Sequence, residues 1–261
     1  MEFKIETMAD YAARGEKPEV LFWVGCAGSF DERAQKITRA VAKILHHSGV
    51  KFAVLGTEES CTGDPAKRAG NEFLFQMQAM MNIQVLNGYE VTRIVTACPH
   101  CFNTLKNEYP ELGGHYEVFH HSELLQTLIN DGRLSVSGGA FSGKKITFHD
   151  PCYLGRGNSV YEAPREVIQK LDSALSEMKR SRAKGFCCGA GGAQMFKEPE
   201  QGTKDVNVER TEEALALNPD VIAVACPFCL TMMTDGVKNF NKEQDVKVLD
   251  IAELIATAND L

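Results

Sequence analysis

The chain reads as an α/β protein of two Rossmann-like halves related by an internal repeat, each built on a mostly parallel sheet with cysteines at the carboxyl ends of its strands. Three observations predict this. The nine cysteines follow one spacing pattern twice: Cys26, Cys61 and Cys98-Pro-His-Cys101, then Cys152, Cys187-Cys188 and Cys226-Pro-Phe-Cys229. The first step of each copy is 35 positions, and the second is 37 in one copy and 39 in the other, a difference one short loop insertion absorbs. Short apolar runs alternate with segments of helical period, the pattern of parallel strands covered by helices. With 261 residues, 44% of them hydrophobic, the chain can bury one large core or two smaller ones.

Taken in order, Glu19 to Val24 predicts a buried strand that delivers Cys26 at its end. Ala34, Ile37, Val41, Ile44 and Leu45 recur at helical spacing, and Gly49 stops that helix. Val50 to Leu55 predicts a second strand, ending before Cys61. Phe73, Met77, Met80 and Met81 give the next helix its predicted apolar face. Arg93 to Ala97 is a third strand running into Cys98, and Tyr116 to Phe119 a fourth, followed by a helix through Leu124, Leu125 and Leu128.

The second half repeats the order. Ile146 to His149 is the strand before Cys152, and Val167, Ile168, Leu171, Ala174, Leu175 and Met178 are expected on one helical face. Val221 to Ala225 leads into Cys226, and Val246 to Leu249 into a helix with Glu253 and Leu254, matching Glu123 and Leu124 of the first half. Asp131 to Lys145, with the run Ser135 to Gly139, is the expected linker. It divides the chain into a degenerate cysteine-rich domain at residues 1–140 and a complete one at 141–261.

The net charge of -7 argues against a nucleic-acid binder, which needs a basic face. Met1 to Lys17 is mixed and acidic, unlike a signal peptide, and no run approaches the roughly 18 to 20 apolar residues that span a bilayer. The expectation is a cytoplasmic protein without direct membrane insertion, peripheral to a membrane only through a partner. An odd number of cysteines, with an adjacent pair and two Cys-x-x-Cys units, fits reduced thiols holding a metal better than a disulfide framework.

In the second half, Cys226-Pro-Phe-Cys229 sits where a strand becomes a helix. Pro227 suits the first turn, and free amides and the helix dipole favour thiolates there. Cys152, Cys187 and Cys188 bring the count to five sulfurs, one more than tetrahedral zinc uses, so a multi-iron cluster is expected. Gly189, opening the run to Gly192, either aims backbone amides at sulfur or forms a tight turn. His149 is a strand-end residue or a supporting donor, and Arg156 lines the cluster mouth or makes a surface ion pair. Lys179, Arg180, Arg182 and Lys184 are a solvated loop or a positive rim. In the first half Thr62 stands where the fifth cysteine would be. Cys26, Cys61, Cys98 and Cys101 suit a four-iron cubane or zinc equally. His100 has sulfur-rich neighbours that leave it little ligand role, His120 and His121 are expected to cap or pack near the following helix, and Asp64 to form a turn or cap with Pro65.

Lone cysteine, spacer, Cys187-Cys188-Gly189, spacer and Cys226-Pro-Phe-Cys229 resemble the motif of the cysteine-rich, or CCG-type, domain family, met in reduced form by Cys26, Cys61-Thr62-Gly63 and Cys98-Pro-His-Cys101. Its members include a cysteine-rich subunit of heterodisulfide reductase and the iron-sulfur subunits of glycolate oxidase and lactate utilisation. The resemblance implies a non-cubane 4Fe-4S cluster in the second half, and a 4Fe-4S cluster or zinc in the first, where Thr62 departs from the motif. The chain has no ferredoxin-type cysteine run, so the resemblance also implies a ferredoxin-type iron-sulfur subunit as partner, with a flavoprotein or quinone-linked subunit beyond it.

The leading functional expectation is an iron-sulfur electron-transfer subunit of an oxidoreductase complex acting on lactate or glycolate. One alternative is a heterodisulfide or thiol-disulfide reductase subunit; another is a zinc-stabilised assembly module, which the fifth sulfur of the second half disfavours. Neither a dinucleotide fingerprint nor a Walker A lysine appears, so NAD and ATP are not expected as ligands.

Overall fold

The computed structural model describes residues 3–137, 139–198 and 201–261. Gly138 of the predicted linker, and Met1 and Glu2 of the acidic N-terminal segment, lie outside those residues.

After helix α1 (Met8–Ala13), the first half runs β1 (Val20–Trp23), α2 (Gly25–Phe30), α3 (Ala34–His47), β2 (Phe52–Ala53), α4 (Asp64–Arg68) and α5 (Glu72–Gly88). It continues with β3 (Arg93–Thr96), α6 (Pro99–Asn103), β4 (Glu117–His120) and α7 (His121–Asn130). The second half runs β5 (Lys145–Phe148), α8 (Gly155–Asn158), α9 (Glu162–Gln169), β6 (Ala174–Leu175), α10 (Val206–Leu215), β7 (Val221–Val224), α11 (Pro227–Asn239), β8 (Lys247–Asp250) and α12 (Ile251–Ala258).

Two four-stranded parallel sheets result, in the orders β2-β1-β3-β4 and β6-β5-β7-β8. Every residue of β1 and of β7 is buried, as central strands covered on both faces require. Strand order reverses between β1 and β3, and between β5 and β7. Such a reversal opens a crevice beyond the carboxyl ends of the two strands. Cys26 follows β1, Cys98 follows β3, Cys152 follows β5 and Cys226 follows β7, so four cysteine positions fall at the two crevices.

The halves pack by exchanging the same contact in both directions: α3 lies on α12, and its counterpart α9 lies on α7, the counterpart of α12. The arrangement is a pseudo-two-fold. Arg33 clamps Glu253 through two hydrogen bonds of 2.7 and 2.9 Å, and His121 Nε2 lies 2.9 Å from Asp250 Oδ1. Helices α7 and α12 open on matching capping boxes, His120 with Glu123 and Asp250 with Glu253, which explains the repeated Glu-Leu pair.

Three expectations change. Ala174 and Leu175 form the edge strand β6 rather than extending a helical face; α9 ends at Gln169, and Asp172 takes a left-handed φ of 51° that turns the chain away. The stripe Phe73, Met77, Met80 and Met81 is on α5 but faces outward, Phe73 being 79% exposed, while Phe75, Ala79, Asn82, Ile83 and Leu86 make the buried face. Strand β2 pairs at only two residues of the predicted six.

Candidate metal centre

In the second half, Cys152 lies in the turn after β5, Cys187 and Cys188 on the loop before α10, Cys226 at the N-cap of α11 and Cys229 within its first turn. Their thiols form one continuous series. Cys152 neighbours Cys187, Cys187 neighbours Cys188, Cys188 Sγ is 3.4 Å from Cys229 Sγ, and Cys229 also neighbours Cys226. Cys188, Cys226 and Cys229 are buried, while Cys152 and Cys187 reach the surface in part. Hydrogen bonds from Cys152 and then Cys188 hold the Cys187 thiol well below the usual range, and the same contact with Cys187 pushes Cys188 up to about 12.

Gly189 supports this corner with φ +92°, and its amide donates to Cys187 Sγ at 3.2 Å. A Cβ there would sit 3.1 Å from Val206 Cβ, so both conformation and space call for glycine. Arg156 Nη2 donates to Cys152 Sγ at 2.9 Å, which places it at the mouth of the site. The basic loop is not a free positive rim: Arg180 pairs with Glu213 and Glu209, and Arg182 with Glu162 and Glu177.

The first half repeats the construction. Cys26 lies beside Cys61, whose thiol that neighbour lowers to about 7, and Cys98 lies beside Cys101. Gly63, φ +88°, donates its amide to Cys61 Sγ at 3.4 Å, as Gly189 does to Cys187. Thr62, 1% exposed, points its hydroxyl at Cys101 Sγ from 3.9 Å. Cys188 addresses Cys229 in the same way, so threonine replaces the fifth cysteine in place as well as in sequence. His100 turns from the thiols: its Nδ1 meets Asp64 Oδ2 at 2.9 Å and its ring lies 4.3 Å from that of Tyr153. Asp64 is accordingly a partner of His100 and of Arg68 at 3.0 Å, besides opening α4.

Sequence reasoning missed four features. Cys98 and Cys226 lie near enough to perturb each other's thiols, so the two sites adjoin across the pseudo-axis. His120, the cap of α7, also lies against the backbone of Ala97 and Ala225, the residues before those two cysteines. Glu59 accepts from the amides of Val24 (3.0 Å) and Gly25 (2.6 Å), fixing the turn before Cys26, and burial raises its carboxyl to about 7. Asp150 does comparable work before Cys152, accepting two hydrogen bonds from buried Arg165 and one from the amide of Arg182. Symmetry of the cysteine repeat is the only signal that could have suggested the first; the others rest on partners 15 to 35 positions away or, for Ala225, farther.

The donor chemistry fits a multi-iron cluster. Five crowded thiols cannot ionise together unless a cationic centre neutralises them, and zinc accommodates four.

A family model described as a cysteine-rich domain (CCG) matches residues 20–106 and again 146–234. The chain is 48% identical to a probable iron-sulfur-binding oxidoreductase, FadF, of Bacillus subtilis, covering 97% of this chain and 36% of the relative. It is 44% identical to an EtfAB:quinone oxidoreductase of Syntrophomonas wolfei (92% and 34% covered). It is 32% identical to one of the subunits of the dihydromethanophenazine:CoB–CoM heterodisulfide reductase of Methanosarcina barkeri (93% and 59%). The chain thus spans about a third of the length of the first two relatives. A hypothetical protein from Helicobacter pylori shares the fold, with a TM-score of 0.60 at 9% identity over 93% of this chain and 49% of that one.

Proposed function

The chain belongs to the cysteine-rich (CCG) domain family, and from that premise we propose that it is the iron-sulfur electron-transfer module of an oxidoreductase complex. In this reading Cys152, Cys187, Cys188, Cys226 and Cys229 hold a non-cubane 4Fe-4S cluster, with Gly189 as its amide donor. Cys26, Cys61, Cys98 and Cys101 hold a cubane cluster or zinc. The observation that carries the reading is the unbroken series of five sulfurs at one crevice, including Cys188 and Cys229 at 3.4 Å.

A cluster so held supplies one-electron transfer at a potential set by its ligands and the hydrogen bonds to them. The chain's own groups do the rest. Burial of Cys188, Cys226 and Cys229 excludes water, the Gly189 amide and Arg156 guanidinium donate to ligand sulfurs, and buried Cys98 and Cys226 adjoin between the two ligand sets.

The relatives named for EtfAB, quinone and heterodisulfide support partners of those kinds: a ferredoxin-type iron-sulfur subunit, and a flavoprotein or quinone-linked subunit. No helix among the described residues is long and apolar enough to cross a membrane, and the membrane contact proposed here runs through a partner. Lactate or glycolate as the organic substrate would be handled by such a partner. A second reading, a thiol-disulfide reductase acting at the second-half cluster, draws support from an apolar cleft of about 380 Å³ that Met195, Phe196 and Phe228 of that half line together with Cys26 and Phe30 of the first.

The test is iron, zinc and acid-labile sulfide content after anaerobic purification, for the wild type and for Cys188→Ser. Loss of about four irons in the variant is expected from a four-iron cluster in the second half. Unchanged iron, or zinc alone in the wild type, would refute the assignment.

A further inference from the structure

Resting on the cluster reading above, we propose that His149 donates an Nε2–H hydrogen bond to sulfur of the centre held by Cys188 and Cys229, raising its reduction potential, and is not itself a ligand. A ring nitrogen of His149 and the sulfurs of Cys188 and Cys229 lie within 4.8 Å of one another, so proximity alone admits either role. Hydrogen bonding decides between them. The guanidinium of Arg210 carries donors only, and its Nε donates to His149 Nδ1 at 3.0 Å. Nδ1 is therefore the acceptor of a neutral ring, and the proton resides on Nε2. Nε2 has no lone pair to offer a metal while Arg210 stays where it is.

Arg210 is well anchored. Fully buried, it also donates through Nη1 to the carbonyl of Arg180 at 2.8 Å and to Glu213 at 3.0 Å. The other end of the imidazole is left over, as is the Nη2 of Arg210: His149 is 0% exposed, and its Nε2 has no partner among the described residues. Buried N–H groups are satisfied with few exceptions, so a fixed donor on a ring that lies against two thiols implies an acceptor that belongs there. Cluster sulfur is that acceptor, and a hydrogen bond to it lowers the energy of the more negative, reduced state.

The repeat supplies an independent observation. His149 stands three positions before Cys152, and the residue three before Cys26 is Trp23. Trp23 is also 0% exposed, and its Nε1 is also buried without a partner. An indole N–H can only donate. Both halves thus place a non-ligating N–H at the same point of the first strand's exit.

The experiment compares wild type, His149→Leu and His149→Gln, reading iron and sulfide content together with the midpoint potential of the second-half centre. His149→Leu is expected to keep wild-type iron and to disfavour reduction by about tenfold, a fall of about 59 mV for one electron. His149→Gln, which keeps an acceptor and a donor, is expected to recover at least half of that fall. Histidine-selective ¹⁵N labelling of the wild type, read by pulsed EPR, tests the same point without any substitution. A weak coupling is expected, whereas a strong coupling of the ligated kind, or none, would overturn the inference. So would an unchanged potential in an iron-loaded His149→Leu chain, or loss of iron from both variants to the level of Cys188→Ser. An iron-free wild type would instead remove the cluster reading itself, and this inference with it.

Discussion

The two cysteine sites share strand order, spacing, helix starts and even the glycine amide aimed at sulfur, yet they differ at two places that matter for chemistry. Thr62 faces Cys101 where Cys188 faces Cys229, and exposed Phe30 occupies the place of Arg156. The second site is rich in sulfur with a cationic mouth, and the first is poorer in sulfur with an apolar one. A shared scaffold geometry inside one chain therefore separates what the fold imposes from what individual side chains choose: the fold brings sulfurs together, and residues 62 and 188 decide how many.

The sharpest break of that comparison is to equalise the donor sets. Cys188→Ser is expected to abolish the spectrum of the second site, and Thr62→Cys to change the visible and EPR signature of the first while leaving the second alone. A first-site spectrum indifferent to Thr62→Cys would show that residue 62 does not set the difference. Next come the supports of the two leading turns. Asp150→Ala leaves Arg165, 1% exposed, with Glu177 as its remaining carboxylate partner, and is expected to cost about 3 kcal/mol of stability by urea denaturation, since a buried ion pair is broken from one side. Glu59→Ala, which orphans two amides at the start of α2, is expected to cost about 1 kcal/mol. Equal losses would erase the distinction between an ionic and a capping support.

Arg156→Phe, which gives the second mouth the residue of the first, is expected to lower the midpoint potential of the second site by less than about 59 mV, a factor of ten. The arginine is largely exposed and its charge is screened. A rise in potential would contradict its role as a donor to Cys152. The smallest effect belongs to α5: Met77→Glu on the outward stripe is expected to change stability by under about 0.5 kcal/mol, a size that confirms the face by contrast with any substitution at buried Ile83.

Much of this was legible in the sequence because it is local. The apolar runs ending in Cys26, Cys98, Cys152 and Cys226 announce strands, Pro227 announces a helix start, and the two Glu-Leu pairs announce matching places in the two halves. What escaped is long-range or ambiguous. Apolar residues surround α5, so period alone could not tell Phe73 and Met77 from Phe75 and Ala79. Edge strand β6 is two residues long, too short for alternation to register, and Leu171 and Met178 on either side are buried at spacings a helix would share. The link between Arg210 and His149 spans 61 positions, and no spacing rule connects them.

The reciprocal packing of α3 on α12 and α9 on α7 has a consequence for how such a molecule arises. A lone copy of the unit would expose both faces of that contact, and two lone copies would close on each other as a homodimer. In a homodimer every substitution appears twice. Joining the copies in one polypeptide releases that constraint, and a threonine at position 62 opposite a cysteine at 188 is a divergence that a fused pair can carry and a homodimer cannot.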